Sequence, residues 1–211
     1  TRTSTPKWNY DGAIELEAML DTYERYPAAN EAIKKYADRF AEFMIADDGG
    51  IYGYKMEDYT LDRVRPGMVI LRLYRLNRRQ QDSLAVETLL DQMDTHPRTK
   101  AGPWWHKLLY HDQVWLDGLY MGLPVRMAAA RQFRPAEAAD YCRDAVRQLA
   151  ATDSCTYDSA TDLWRHGWDE SRTLFWADKT TGRSQHAWGR AMGWYAMALM
   201  EVLDELPADD E

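Results

Sequence analysis

Cysteine, phenylalanine and the β-branched aliphatics are all scarce in this 211-residue chain: two Cys, four Phe, and twelve Val and Ile together. Cys142 and Cys155 are too few for a disulfide framework and lack metal-ligand spacing, and Cys142 reads as a small residue of a helical core. So few Val and Ile leave little material for strand-type runs, which points to an all-α protein. No polybasic stretch exists, and the net charge is -8 with a pI near 5.2, so nucleic acid is excluded as the expected partner. An anionic ligand would have to be met by individual Arg or Lys side chains in a cleft. No apolar run approaches the ~18 residues of a membrane span, so no membrane partner is expected. The leading Thr1-Arg2-Thr3-Ser4 carries no apolar signal-peptide core, which leaves cytoplasm and periplasm undecided.

What the chain has in excess is Trp and Tyr, nine and thirteen respectively, with eight of the Trp between Trp104 and Trp194. These rings join an apolar face to a polar handle, the mixture that a sugar's C–H faces and hydroxyl rim match. A Trp-rich core is the other reading of the same composition. Apolar residues recur at three and four residues along seven segments. They predict helices over about 11–26, from Pro27 to 44, over 61–76 with Pro66 in the first turns, and over 79–94. Three more are predicted over 112–131 with Pro124 as a kink or break, over 135–152, and over 186–206. Asp47-Asp48-Gly49-Gly50 supplies the second helix's stop. A polar loop over 96–103 and an aromatic loop over 153–183 separate these elements. The alternation suits helical hairpins around an axis with functional loops at one end.

Four clusters carry chemistry. Asp117 sits among aromatic and aliphatic residues in Trp115-Leu116-Asp117-Gly118-Leu119-Tyr120-Met121; desolvation there would raise its pKa, as a general acid requires. A structural Asp paired with an Arg is the alternative. His166, in Trp164-Arg165-His166-Gly167-Trp168-Asp169-Glu170, suits either a sugar hydroxyl or a structural hydrogen bond. Arg190 and Trp194, four apart on a helix, suit a carboxylate clamp beside a stacking plane or a surface cation–π pair. Gly189 and Gly193 there would admit a ligand or another backbone. Asp62, near a helix start, fits N-capping or pairing with the helix dipole.

In order and spacing these stretches, with Asp94-Thr95-His96-Pro97-Arg98-Thr99, Trp105-His106-Lys107 and Trp188-Gly189-Arg190, resemble glycoside hydrolase family 105, the unsaturated rhamnogalacturonyl hydrolases. The resemblance implies an (α/α)6 barrel of six helical hairpins, with residues 1–211 as a single catalytic domain holding an incomplete share of it. It implies Asp117 as catalytic acid/base and Asp62 as a second essential carboxylate. His166, Arg190, Trp194, Trp115, His106 and Lys107 would be substrate-binding, with no metal and no organic cofactor. The implied reaction removes a 4,5-unsaturated uronic acid from pectin-type oligosaccharides by protonating and hydrating the C4=C5 bond. His111-Asp112 departs from the family pattern, which often has a Pro there, and predicts a different loop and altered aglycone preference. Rival readings are an unsaturated glucuronyl hydrolase of ulvan or glycosaminoglycan fragments, a carbohydrate-binding protein without turnover, and a helical-repeat scaffold.

Overall fold

Every residue from Leu116 to Ala130 is buried, and a helix that is apolar on all sides must be enclosed on all sides. The computed structural model, which describes residues 5–207, builds the fold around that helix; Thr1-Arg2-Thr3-Ser4 lies outside the described residues. Seven helices follow one another: α1 (Tyr10–Arg25), α2 (Glu31–Met44), α3 (Pro66–Asn77), α4 (Gln80–Thr95), α5 (Leu116–Phe133), α6 (Ala138–Thr156) and α7 (Gly189–Glu205). α1, α3, α5 and α7 line a central cavity of about 570 Å3. α2 packs outside α1 and α3, α4 outside α3 and α5, and α6 outside α5 and α7. This inner and outer alternation is the architecture of an (α/α)6 barrel, represented among the described residues by three helix pairs and a seventh, inner helix. At that end of the array, α7 leaves Met197, Leu199, Met200 and Leu203 exposed.

Several element boundaries differ from the sequence expectation, each for a physical reason. The third helix begins at Pro66, because a proline cannot donate to the carbonyl four residues back; Leu61–Arg63 forms a separate 3-10 turn. The second helix ends at Met44, and the chain reverses through Gly49, whose φ of +84° suits glycine and whose absent Cβ would stand 2.4 Å from Leu84 Cβ. The fifth helix starts at Leu116 rather than Asp112, since Gln113–Trp115 is drawn into a strand, β1. The aromatic loop is likewise partly ordered. It contains the end of α6, a short hairpin of β2 (Tyr157–Asp158) and β3 (Leu163–Trp164), and β4 (Gly167–Asp169). β4 pairs antiparallel with β1, with Trp115 opposite Gly167 and Gln113 opposite Asp169.

Pro124 lies inside α5 and does not end it. Its missing N–H orphans the Tyr120 carbonyl, and Arg65 Nη1 donates to that oxygen at 3.3 Å. Arg65 is itself buried, with its guanidinium 3.9 Å from the Tyr120 ring centroid. Its charge is met by Glu17 of α1 through Nε at 2.8 Å, and by Glu201 of α7 through Nη1 at 2.8 Å and Nη2 at 3.0 Å. One side chain thus ties three of the inner helices to the turn before α3. Cys142 is buried on α6, as a core residue.

Candidate active site

The inner helices present their N-terminal ends to one place. Tyr10 opens α1, Asp62 lies in the turn before α3, Asp117 is the second residue of α5 and Arg190 the second of α7. All four line a cavity of about 140 Å3, together with His106, Lys107, Tyr110, Trp115 and Met121. Helix N-termini carry partial positive charge and unpaired N–H groups, so their convergence favours an anion. Larger cavities exist, but the central one contains none of Asp62, Asp117, Lys107 and Arg190 and carries six carboxylates among its lining residues. An open groove of about 600 Å3 adjoins the small cavity, sharing Asp62 and Lys107 and bounded by Asn9, Thr60, Arg63, Leu108, Leu109 and His111.

Asp117 is delivered by the β1–β4 ladder, which ends at Trp115, and by Leu116 N–H donating to the His166 carbonyl at 3.1 Å. Its side chain is only 11% exposed, and Oδ2 has no hydrogen-bond partner among the described residues. Burial holds its carboxyl above the ordinary carboxylate range, Arg190 and its own N–H oppose that, and Asp62 adds to it. Arg190 Nε stands 3.7 Å from Asp117 Oδ1 while the Arg190 side chain remains 61% exposed. Arg190 is therefore a cation near Asp117 with donors left over.

Asp62 makes no capping bond to its turn. It pairs instead with Lys107 Nζ at 2.6 Å and lies 3.3 Å from His106 Nε2. His106 is pushed down to about 4 by burial, against the pull of Asp62, and so is neutral near pH 7. Gly118 makes room for it: a Cβ there would meet His106 Nδ1 at 2.9 Å and Leu61 Cδ1 at 3.0 Å.

Aromatic rings form the wall behind these charges. Trp115 stacks on His106 at 5.4 Å and on Tyr110 at 5.4 Å, and meets His166 edge-on at 5.2 Å. Three Trp are buried (Trp8, Trp104, Trp168), as the core reading has it, and six are half-buried.

Of the residues expected from sequence, the structure gathers Asp62, His106, Lys107, Trp115, Asp117 and Arg190 on one cavity. His166 stands behind the wall, buried, stacked on Trp188 at 3.9 Å and hydrogen-bonded through Nδ1 to Ser184 Oγ at 2.8 Å. Trp194 stacks on Tyr120 at 5.1 Å and meets Tyr10 edge-on at 6.3 Å. The ring beneath Arg190 is Trp188, at 5.2 Å, rather than Trp194. Among the described residues no second backbone approaches Gly189 or Gly193, where a Cβ would meet nothing within 4 Å. Tyr10, Tyr110 and Met121 also line the cavity and were not among the site residues expected from the sequence; Tyr10 arrives from a different helix more than a hundred residues from Asp117.

Paired inner and outer helices, with two carboxylates, two cations and a ring wall at the inner helices' N-termini, place a candidate site at one end of the helical-barrel array. The chain belongs to glycosyl hydrolase family 88, whose family model matches residues 1–211. It is similar to a family 105 glycoside hydrolase of C. acetobutylicum ATCC 824, with a TM-score of 0.91 and 34% identity over 98% of this chain and 56% of that one. The resemblance to family 105 read from the motifs therefore holds. Among curated proteins it is 42% identical over 90 residues to Protein Atu3128 of Agrobacterium fabrum, covering 42% of this chain and 36% of that protein. It is 22% identical over 205 residues to the unsaturated rhamnogalacturonyl hydrolase YesR of Bacillus subtilis, covering 93% of this chain and 53% of that protein. The chain thus spans about half the length, or less, of these relatives.

Proposed function

We propose that this site removes a 4,5-unsaturated uronic acid from the end of a rhamnogalacturonan-type oligosaccharide by hydrating its C4=C5 bond. The observation that carries the reading is Asp117: a desolvated carboxyl with an unpartnered buried oxygen, set in a small cavity beside two cations at the mouth of four helices. Lys107 and Arg190 supply charge for the uronate, and the helix N-termini add to it. Trp115 and Tyr110 offer apolar faces to the ring.

Protonated Asp117 gives its proton to C4, and the π electrons of the C4=C5 bond form the new C–H bond. The cationic centre at C5 is stabilised by the ring oxygen. A water oxygen then bonds to C5 as Asp117 takes the water's proton back, restoring its acid form. The hemiketal at C5 opens its ring to a ketone, and the exposed hemiacetal at C1 releases the aglycone as an alcohol. Asp62, held by Lys107 and near His106, orients a sugar hydroxyl or the water and raises Asp117 by its negative charge. Because only one carboxylate exchanges protons with the reacting atoms, the spacing rule for ordinary glycosidase pairs does not govern this site.

The choice of rhamnogalacturonyl over glucuronyl substrates is supported by likeness to YesR along most of the chain. The test is to incubate the protein with unsaturated rhamnogalacturonan disaccharide and with lyase-generated fragments of ulvan and glycosaminoglycans. The expected result is loss of the double-bond absorbance and release of the saturated sugar from the first substrate. Turnover of the glucuronyl fragments alone would overturn the substrate assignment. Binding of every substrate without absorbance loss would overturn the enzyme.

A further inference from the structure

We propose that Gln92 and His96, on and just after α4, are positioning residues for Asp62: they clamp from behind the two backbone segments whose side chains meet at that carboxylate. The proposal rests on the functional reading of Asp62 above.

Asp62 and its partners His106 and Lys107 come from two segments that form no named strand yet pair with each other. Thr60 and Lys107 form an antiparallel bridge. Leu61 N–H donates to the His106 carbonyl at 3.2 Å, and Leu108 N–H donates to the Tyr59 carbonyl at 3.0 Å. This two-rung ladder sets the reach between Asp62 and Lys107. Nothing in it fixes either segment against the rest of the protein.

Gln92 does. It is fully buried on α4, and its amide is used on both sides. Nε2 donates to the Thr60 carbonyl at 3.4 Å and lies 3.3 Å from His96 Nδ1. His96 Nε2 lies 2.9 Å from the Trp105 carbonyl, and Tyr54 O–H donates to Gln92 Oε1 at 2.6 Å. The polarity of the chain is fixed from its ends. A carbonyl only accepts, so His96 carries its proton on Nε2 and accepts at Nδ1. Gln92 then donates with both N–H bonds and accepts from Tyr54. Burial pushes His96 down to about 4, consistent with a neutral ring holding one proton. Every polar atom of Gln92 and His96 is satisfied by this one arrangement, and buried groups in that condition rigidify what they hold.

The consequence is that one amide grips both rails of the ladder: Thr60, two residues before Asp62, directly, and Trp105, two residues before Lys107, through His96. Catalysis is sensitive to displacements of this scale. Gln92→Met keeps the length of the side chain and removes both donors. His96→Phe keeps the ring and removes both nitrogens, while His96→Gln can still accept at one end and donate at the other.

Three measurements on the full chain test the clamp. Histidine NMR of the unmutated protein should show His96 neutral and protonated on Nε2; an Nδ1-protonated ring overturns the proposal even if no variant folds. Amide exchange at Leu61 and Leu108 should quicken by about tenfold or more in Gln92→Met and His96→Phe, and recover in His96→Gln; unchanged exchange in folded variants overturns it. Turnover of unsaturated rhamnogalacturonan disaccharide should fall about 10- to 100-fold in the same two variants and recover in His96→Gln. In an Asp62→Asn background, His96→Phe should add little further loss, because the two changes act on one thing. Full additivity there, or quickened exchange with undiminished turnover, overturns the positioning role. An unmutated protein that binds but does not turn over, with exchange behaving as described, would leave the clamp standing and sink the functional reading instead.

Discussion

Arg190 Nε and Asp117 Oδ1 are 3.7 Å apart, too far for a hydrogen bond and close enough for charge to be felt. Burial raises the Asp117 carboxyl and Arg190 is the largest influence opposing it. In the proposed mechanism the protonated form is the one that acts, so activity should be lost as pH rises through the Asp117 pKa. Replacing Arg190 by Leu removes the opposing charge. The alkaline limb of kcat against pH should move to higher pH, while KM rises through loss of a uronate contact. A limb that stays in place, or moves to lower pH, would show that Asp117 is not the titrating acid.

Asp117→Asn keeps the size of the side chain and cannot deliver a proton. Turnover should fall by about 10^3-fold or more, since the proposed mechanism uses the same group in both steps, with the circular dichroism spectrum unchanged. An Asn variant that retains a tenth of the activity would refute the assignment.

A saturated galacturonyl-rhamnose has no alkene to protonate. It should resist cleavage under conditions that exhaust the unsaturated disaccharide. Comparable rates on the two, followed by chromatography of the products, would replace hydration with ordinary glycoside hydrolysis.

Away from the site, Asp82 is buried in the first turn of α4, and neither carboxylate oxygen has a hydrogen-bond partner among the described residues. Arg79 Nη2 is 3.4 Å from Oδ1. Burial pushes Asp82 up to about 6 from an ordinary 3.8, so the folded state keeps a proton that the unfolded chain releases at lower pH. Stability contributed by that proton is present below about pH 4 and lost as pH rises through 6. Asp82→Asn should flatten this fall by about 1–3 kcal/mol in urea unfolding at pH 4 and pH 7. A variant whose stability changes with pH as steeply as the parent's would discount Asp82 as a source of the dependence.

The helices were legible because each repeats its apolar residues with helical period, and Pro66 and Gly49 punctuate them. What local pattern does not carry is pairing at a distance. Gln113–Trp115 extends because Gly167–Asp169, more than fifty residues on, lies beside it; read alone, it joins smoothly onto the helix that follows. Asp117 stood out as a carboxylate among rings, and Asp62 through the family resemblance. Tyr10 and Met121 did not, being ordinary residues made relevant by where α1 and α5 begin. Arg190 could be placed on a helix face, but its ring partner proved to be Trp188, just before the helix starts, where the four-residue spacing rule does not reach. Arg65 looked like one charge among many in Asp62-Arg63-Val64-Arg65, and nothing nearby in sequence marks it as buried.

That Arg65 completes α5 has a bearing on how the protein folds. A helix normally closes its own hydrogen bonds as it grows, residue by residue. α5 cannot: at its middle the Tyr120 oxygen waits for a donor 55 positions earlier in the chain. That donor is held in place by acids on α1 and α7. The helix that carries Asp117 is finished only when its neighbours arrive, so an isolated α5 peptide should fray at its centre rather than at its ends alone. Removing α7 should be felt in the amide exchange of residues around Tyr120 before it is felt in α1. Secondary and tertiary structure are, at this point of the chain, one event.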